Sequence, residues 1–427
     1  MMKLLLAFST VLALAAAAPP ALAVRPKPEK KSYDGYKVFR VTVGHEINKV
    51  NGIVSKLDLT TWKGAPRAGA YADIVVPPAQ LDAFNTEIAG LETLTMHEDL
   101  GASIAEESSF STYAAGSANA TWFNSYHAYA DHLQFLRDLQ SSYPTQSEIV
   151  TAGNSLNGNP ITGIHFWGTA GKNVKPAIVF HGTVHAREWI STMVVEYLGY
   201  NLLTNYASSA EIKGFVDKYD FFIFPAVNPD GFLYSQTNDR LWRKNRQSTS
   251  GSTCIGRDIN RNWPYQWSVS GGASTSPCDQ DFKGTAQSDA PETTALAAWL
   301  RTVKARQGLK LFIDYHAYSQ LFMTPYGYSC TAVSTKNTEL QALAKGAVAA
   351  IKASHGLTYK YGPICSTIYK ATGSSVDYVN DVVGSDYTFT TELRDTGNSG
   401  FLLPAAQIVP SGEEAYAGLR YLLINMK

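Results

Sequence analysis

The chain has 427 residues, 45% of them hydrophobic, which suits one large domain plus a smaller one and allows a sizeable buried core. Lys and Arg total 36 and Asp and Glu also total 36, so the formal net charge is zero. No basic field exists to hold nucleic acid or an anionic membrane, and both drop out as partners.

In chain order, Met1 to Ala23 carries Lys3, an apolar stretch from Leu4 to Ala18, and the small-residue end Pro19-Pro20-Ala21-Leu22-Ala23. A short positive head, an apolar segment too short to cross a bilayer and a small-x-small site read as a secretory signal peptide. No later stretch reaches the roughly 18 uncharged apolar residues of a spanning helix, so the mature protein is expected to be soluble and extracellular.

From Tyr36 to Leu100 the patterns alternate quickly. Tyr36 to Val43 reads as a strand, Ile47 to Leu57 as a helix, Ala72 to Val76 as a strand, Pro77-Pro78 opens a helix to about Leu91, and a strand follows near Leu94 to Met96. This βαβαβ-like unit predicts a small α+β domain. Gly101 to Ser111, small and acidic, has the composition of a linker. The expected organisation is therefore a signal peptide at 1–23, a first domain with its linker at 24–111, and one larger domain at 112–427.

The larger domain reads as α/β. Buried-strand candidates are Ile161 to Trp167, Ala177 to His181, Tyr219 to Phe224, Leu309 to Tyr315 and Tyr387 to Thr391. Trp189, Ile190, Met193, Val194, Tyr197 and Leu198 recur at helical spacing, so a helix follows the second of these strands closely. No internal repeat is present. The four cysteines, Cys254, Cys278, Cys330 and Cys365, read as two disulfides in an oxidising compartment, and pairing of neighbours is the lowest-entropy of three connectivities. Thiol ligation of zinc is disfavoured because no Cys-x-x-Cys pair occurs. Asn119-Ala120-Thr121 is a glycosylation sequon, usable only after export.

Chemistry-bearing residues gather at the ends of the predicted strands. His185 and Glu188 sit three apart where a strand gives way to a helix, the end at which open α/β sheets bind ligands. His316 ends the run Leu311-Phe312-Ile313-Asp314-Tyr315. His185, Glu188 and His316 offer three N/O donors and leave a fourth position free, the arrangement of catalytic zinc. His181 lies inside a strand and reads as a packed residue; His45 and His97 lie in the small first domain, and His127, His132, His165 and His355 show no partner pattern. Glu392 supplies a carboxylate at the end of a third strand, with a salt bridge to Arg394 as its alternative role. Arg240 to Arg246 and Asp258 to Trp263 are polar clusters in which Arg beside Asn can fork a carboxylate.

Seven motifs in order carry a resemblance. They are His185-x-x-Glu188, Asn228-Pro229-Asp230-Gly231, Arg240-Leu241-Trp242-Arg243-Lys244, Asp258-Ile259-Asn260-Arg261-Asn262-Trp263, Tyr315-His316-Ala317-Tyr318-Ser319-Gln320, Thr367-Ile368-Tyr369, and Glu392-Leu393-Arg394-Asp395-Thr396-Gly397 running on to Phe401 and Pro404. Together they resemble the zinc carboxypeptidase A family across nearly all of Thr112 to Lys427, and the first hundred residues resemble that family's inhibitory pro-domain. Carboxypeptidase A is the standard example of a His₂Glu catalytic site, so this ligand set follows from the resemblance.

The resemblance implies a mixed eight-stranded sheet flanked by helices, preceded by a ferredoxin-like α+β pro-domain. It implies one Zn²⁺ per chain on His185, Glu188 and His316, with Glu392 as the general base that passes a proton from attacking water to the leaving amine. Arg243 matches the residue that stabilises the oxyanion, and Asn260 and Arg261 the clamp on the substrate's free carboxylate. Tyr369 matches a mobile lid, Arg187, Tyr318 and Phe401 contact the upstream peptide, and Asp258 accepts from the His185 ring. Peptide and protein C-termini are the implied substrates, an activating protease the implied partner, and a monomer the implied state. Two positions depart from the commonest pattern, Ala317 where serine is usual and Ser374 where glycine is.

The pocket floor matches Val376, where a basic-residue enzyme carries aspartate; with Met323, Ile364 and Ile368 nearby by the same matching, apolar C-terminal residues are expected. No Lys or Arg occurs between Arg67 and Arg137, so activation is expected from a protease of non-tryptic specificity cutting within Gly101 to Thr112. The alternatives are a dead peptide-binding relative, disfavoured because ligands, base and clamp are all present, and a zinc amidohydrolase of the same fold.

Overall fold

The computed structural model describes residues 30–64 and 66–427; the expected signal peptide lies outside them. In the first domain, β1 (Lys37–Thr42), α1 (Ile47–Lys56), β2 (Thr60–Thr61), β3 (Tyr71–Val76), α2 (Leu81–Glu87) and β4 (Thr93–His97) build an antiparallel sheet ordered β2-β3-β1-β4. The connectivity is βαββαβ, ferredoxin-like. The extra strand, β2, is two residues long and leaves no periodic trace in the sequence.

Alternation along β1 and β3 divides this sheet's work. Phe39, Val41, Ile74 and Val76 face Val50, Ile53 and Phe84 in the domain's own core, whereas Val38 and Val75, pointing the other way, join the core of the larger domain. The first domain is thus docked through one sheet face.

The segment read as linker is in part a helix, α3 (Leu100–Glu107). Its small and acidic composition conceals good helix formers behind a cap: Asp99 accepts from the Ala102 amide at 3.0 Å, and Leu100, Ile104 and Glu107 are buried on one face. After it the chain is exposed at Ser109, Ser111 and Thr112.

The larger domain holds β5 (Ser147–Asn154), β6 (Pro160–Phe166), β7 (Ala177–Gly182), β8 (Asp220–Phe224), β9 (Leu309–Ala317), β10 (Leu321–Thr324), β11 (Lys360–Pro363) and β12 (Tyr387–Leu393) in one sheet, ordered β11-β10-β12-β9-β7-β8-β6-β5. β8, β7, β9 and β12 run parallel; β5 and β6 are antiparallel additions, and β10 runs against β12 but with β11. Its helices are α4 (Tyr129–Ser142), α5 (Trp189–Thr204), α6 (Ala210–Lys218), α7 (Pro229–Thr237), α8 (Pro291–Gln307), α9 (Asn337–His355), α10 (Ile364–Thr367), α11 (Ser375–Tyr378) and α12 (Ile408–Asn425).

Both sheet faces are covered, which is why the central strands read as unbroken apolar runs. Ile178, Phe180, Leu311 and Ile313 pack with Met193, Val194 and Leu198 of α5 and Leu419 and Leu422 of α12; on the other face Val179, Phe222 and Phe312 pack with Leu296 and Leu300 of α8. Two disulfides, Cys254–Cys278 and Cys330–Cys365, follow the expected neighbour pairing. No helix among the described residues is long and apolar enough to cross a membrane.

Candidate active site

The chain leaves β7 through a tight passage that places the first two donors. At Gly182 any Cβ would lie 2.9 Å from the Ser191 carbonyl oxygen, so only glycine lets α5 start this close. Thr183 follows with φ 55°, in the left-handed region, held by its hydroxyl donating to Pro225 O at 2.8 Å. His185 and Glu188 then face back over the strand ends, with Glu188 at the N-cap position of α5.

Parallel pairing of β9 with β12 sets His316 beside Glu392 in register, and both project at the same sheet edge as His185. His185 Nδ1 lies 2.9 Å from Glu188 Oε1, His316 Nδ1 lies 3.0 Å from Glu188 Oε2, and the two Nδ1 atoms are 3.1 Å apart. All three residues are buried. Two imidazole lone pairs and a carboxylate converging in this way repel one another unless a cation stands between them. Donors at 2.0–2.2 Å from a tetrahedral zinc sit roughly 3.3 Å apart, so the N₂O set fits a zinc ion. Among the described residues this is the group of His, Cys, Asp and Glu able to hold a metal.

A carboxylate stands behind the His185 ring. His185 Nε2 is 3.1 Å from Asp258 Oδ1, and Asp258 also accepts from Arg243 Nη2 at 2.7 Å and from the Asn260 amide at 2.8 Å. Burial works against the Asp258 charge, but Arg243, His185 and Arg261 together hold its carboxyl well below the usual range. Glu392 is the opposite case, since burial and then the Glu188 charge push its carboxyl up to about 8. Its alternative role is gone, because Arg394 pairs with Glu414 at 2.8 and 2.6 Å.

A cleft with about 570 Å³ of empty space is lined by His185, Arg187, Glu188, Arg243, Arg261, Tyr318, Tyr369, Glu392 and Phe401. A second recess of about 410 Å³ opens beside it, lined by Asn260, His316, Met323, Ile364, Ile368, Ala371, Ser374, Val376 and Thr390, with Arg261, Tyr369 and Glu392 at the junction. Every catalytic, metal-ligating and substrate-contacting residue expected from the sequence therefore lies in or directly behind one continuous depression. His181 sits inside β7, 1% exposed, as a packed residue does. The Cys330–Cys365 bridge and the Cys365 amide donating to Tyr326 O at 2.9 Å tie down the recess wall that includes Ile364.

Sequence reasoning missed the residues that the first domain sends into the cleft. Trp62, Lys63, Gly64 and Arg67 line it. Trp62 O accepts from Arg187 Nη2 at 2.5 Å, the Trp62 ring rests 5.3 Å from that of Phe401, and Lys63 Nζ reaches Ser319 Oγ at 2.6 Å. Arg67 lies 4.1 Å over the Tyr369 ring, and the Tyr318 hydroxyl donates to Asp73. Behind them, Arg240 forks Glu107 of α3 at 2.5 and 2.8 Å, with both side chains almost fully buried, and donates to Phe401 O at 2.8 Å. These residues come from a turn and a helix end without periodicity, and nothing in their types signals an inward role.

Comparison with known proteins agrees with this geometry. A family model described as zinc carboxypeptidase matches residues 132–418, and one described as carboxypeptidase activation peptide matches 39–107. The chain is 50% identical over 388 residues to metallocarboxypeptidase A of Trichophyton rubrum, covering 90% of this chain and 92% of that one. It is 36% identical over 408 residues to carboxypeptidase A2 of Rattus norvegicus, covering 93% and 95%. Among solved structures, thrombin activatable fibrinolysis inhibitor superposes with a TM-score of 0.85 at 27% identity over 91% of this chain and 98% of that one. Carboxypeptidase A from Helicoverpa armigera shares the fold, with a TM-score of 0.77 at 23% identity over 91% and 97%.

Proposed function

Since the chain belongs to the zinc carboxypeptidase family and carries its activation peptide, we propose that the mature enzyme removes single apolar residues from the C-termini of peptides. The observation that carries the apolar preference is the recess beside Glu392. Met323, Ile364, Ile368, Ala371 and Val376 line it, and Glu392 at its junction with the cleft is the one carboxylate in the lining. A Lys or Arg head placed there would lose its hydration without a partner.

His185, Glu188 and His316 would hold one zinc ion. When bound, that ion supplies a Lewis acid that polarises the scissile carbonyl and makes a water molecule more acidic. The protein's own groups do the rest. Glu392 takes the proton from the attacking water and returns it to the leaving amine. Arg243, fixed by Asp258, faces the oxyanion that develops on the scissile carbonyl. Asn260 and Arg261, at the mouth of the recess, grip the terminal carboxylate, which restricts cleavage to the last residue, and Tyr369 closes over it. Arg187, Tyr318 and Phe401 hold the chain upstream.

In the zymogen the first domain occupies these upstream contacts. Trp62 O takes the Arg187 donor that a substrate carbonyl would use, and Lys63 and Arg67 cover the approach to Glu392 and Tyr369. Activation is cleavage in the chain after α3, at residues 108–112, where Ser109, Ser111 and Thr112 are exposed, by a protease that does not require Lys or Arg. The mature N-terminus is then anchored through Tyr113 Oη and the Gly116 amide, both donating to Asp138 at 2.8 and 2.7 Å. Secretion as a monomer, with signal removal near Ala23, completes the reading.

The test is digestion of matched peptides that differ only in their C-terminal residue. Phe, Leu, Tyr and Met are released fastest; fastest release of Lys or Arg overturns the assigned specificity.

A further inference from the structure

The apolar recess is braced from behind by an acid that the proposed chemistry does not use. Asp377 follows Val376 on α11 and is 0% exposed. Both of its carboxylate oxygens accept from the Gly327 amide at 3.0 Å, and Oδ2 also accepts from the Tyr328 amide at 3.0 Å. Those two amides belong to the turn that follows β10, the strand that carries Met323 into the recess. At the other end of α11, Ser374 Oγ accepts from the Asp377 amide at 3.3 Å, so the cap of this short helix is itself a residue of the recess lining.

The turn is in turn stitched to the wall of the recess. Tyr326 O accepts from the Cys365 amide at 2.9 Å and Gly327 O from the Ala371 amide at 2.8 Å. A Cβ at Gly327 would meet Ala371 O at 2.7 Å and Ile364 Cγ2 at 3.4 Å, so the turn lies directly against two of the residues that form the wall. Gly327 thus ties Asp377 on its amide side to Ala371 on its carbonyl side. Only an acceptor with two oxygens suits this arrangement, because a carboxamide with its oxygen at the Oδ2 position would set its NH₂ group against the Gly327 N–H, donor against donor. Burial pushes the Asp377 carboxyl up to about 7, while the Gly327 and Tyr328 amides draw it down. The ionised form is the one that both amides favour.

We propose that Asp377 is a positioning residue for substrate specificity, which holds the Gly327–Tyr328 turn against Ile364 and Ala371 and so keeps the recess narrow enough to grip an apolar side chain. It acts through the turn and not on the substrate: Val376 forms the floor, and its neighbour sets the wall. The inference rests on the reading of this recess as the site of the C-terminal side chain.

The test is competition between two peptides that end in Leu and in Ala, both in one tube with activated enzyme at pH 8, so that any change in the folded fraction cancels. In Asp377→Asn the Leu-to-Ala ratio of kcat/KM is expected to fall at least about fourfold, the equivalent of one methylene no longer gripped. The fall comes from a higher KM for the Leu peptide, with kcat for both peptides within about threefold of wild type, because the groups around the scissile bond are untouched. A smaller fall in the ratio, or equal losses on both peptides, overturns the positioning role. In wild-type enzyme, NMR is expected to show the Gly327 and Tyr328 amide protons shifted downfield by a carboxylate acceptor and slow to exchange, a readout that does not depend on any variant folding. Rapid exchange of either amide overturns the brace. Wild-type enzyme that releases Ala as fast as Leu, or Lys faster than Leu, overturns the apolar reading of the recess instead.

Discussion

Replacing Val376 with aspartate tests the recess most sharply. Val376 is 1% exposed on α11 and shares its cavity with Met323, Ile364, Ile368 and Ala371. A C-terminal Leu buries three more carbons there than Ala, each contributing about 0.8 kcal/mol, so wild-type enzyme is expected to favour Leu by about 2.4 kcal/mol, or roughly 60-fold in kcat/KM. An unpaired Lys head in the same space carries a penalty of several kcal/mol. A carboxylate at position 376 reverses both terms, because it needs a cationic partner and leaves an apolar side chain opposite an uncompensated charge. Breaking a buried pair costs about 3–5 kcal/mol, so the Leu-to-Lys ratio of kcat/KM should fall at least a hundredfold in Val376→Asp. The assay is competitive hydrolysis of two peptides ending in Leu and Lys in one tube. Both substrates meet the same folded molecules, so any loss of stability cancels from the ratio. A ratio unchanged in the variant would refute the placement of Val376 at the floor of the specificity pocket.

Other outcomes follow from the same geometry. Arg243→Ala is expected to lower kcat by roughly a hundredfold or more with little change in KM, whereas Arg261→Ala mainly raises KM; steady-state kinetics on one peptide separates the two, and the reverse pattern contradicts the roles assigned. Glu107→Gln leaves Arg240 a buried cation without its fork, a loss of about 3–5 kcal/mol of docking at most, and uncut zymogen should then show measurable peptidase activity where wild-type zymogen shows little. Activity equally low in both would mean that α3 does not latch the first domain. N-terminal sequencing of activated enzyme should give a start between residues 109 and 113, and a start at residue 138, after Arg137, would exclude a non-tryptic cut in the exposed chain.

Much of the candidate site was legible in the sequence because its residues sit at the ends of strong apolar runs. Ala177 to His181, Leu309 to Tyr315 and Tyr387 to Thr391 announce buried parallel strands, and His185, Glu188, His316 and Glu392 stand where those strands must deliver a ligand site. What was hidden depends on contacts between distant segments. β2 is too short to alternate, and α3 was masked by small residues whose cap, Asp99, is visible only once the helix is known. Trp62, Lys63 and Arg67 enter the cleft because one face of the first domain's sheet packs on the larger domain, a docking that alternation within β1 and β3 permits but does not specify.

Zinc dependence and recognition of a free chain end are read out together by incubating activated enzyme with one peptide in two forms, free acid and C-terminal amide, with and without a chelator, and identifying products by mass spectrometry. Glu392→Gln, loaded with one zinc, serves as the control for the base. Loss of single residues from the free acid alone, abolished by the chelator and absent in Glu392→Gln, is the predicted result. Internal cleavage, equal attack on the amide, or full activity in Glu392→Gln would contradict it.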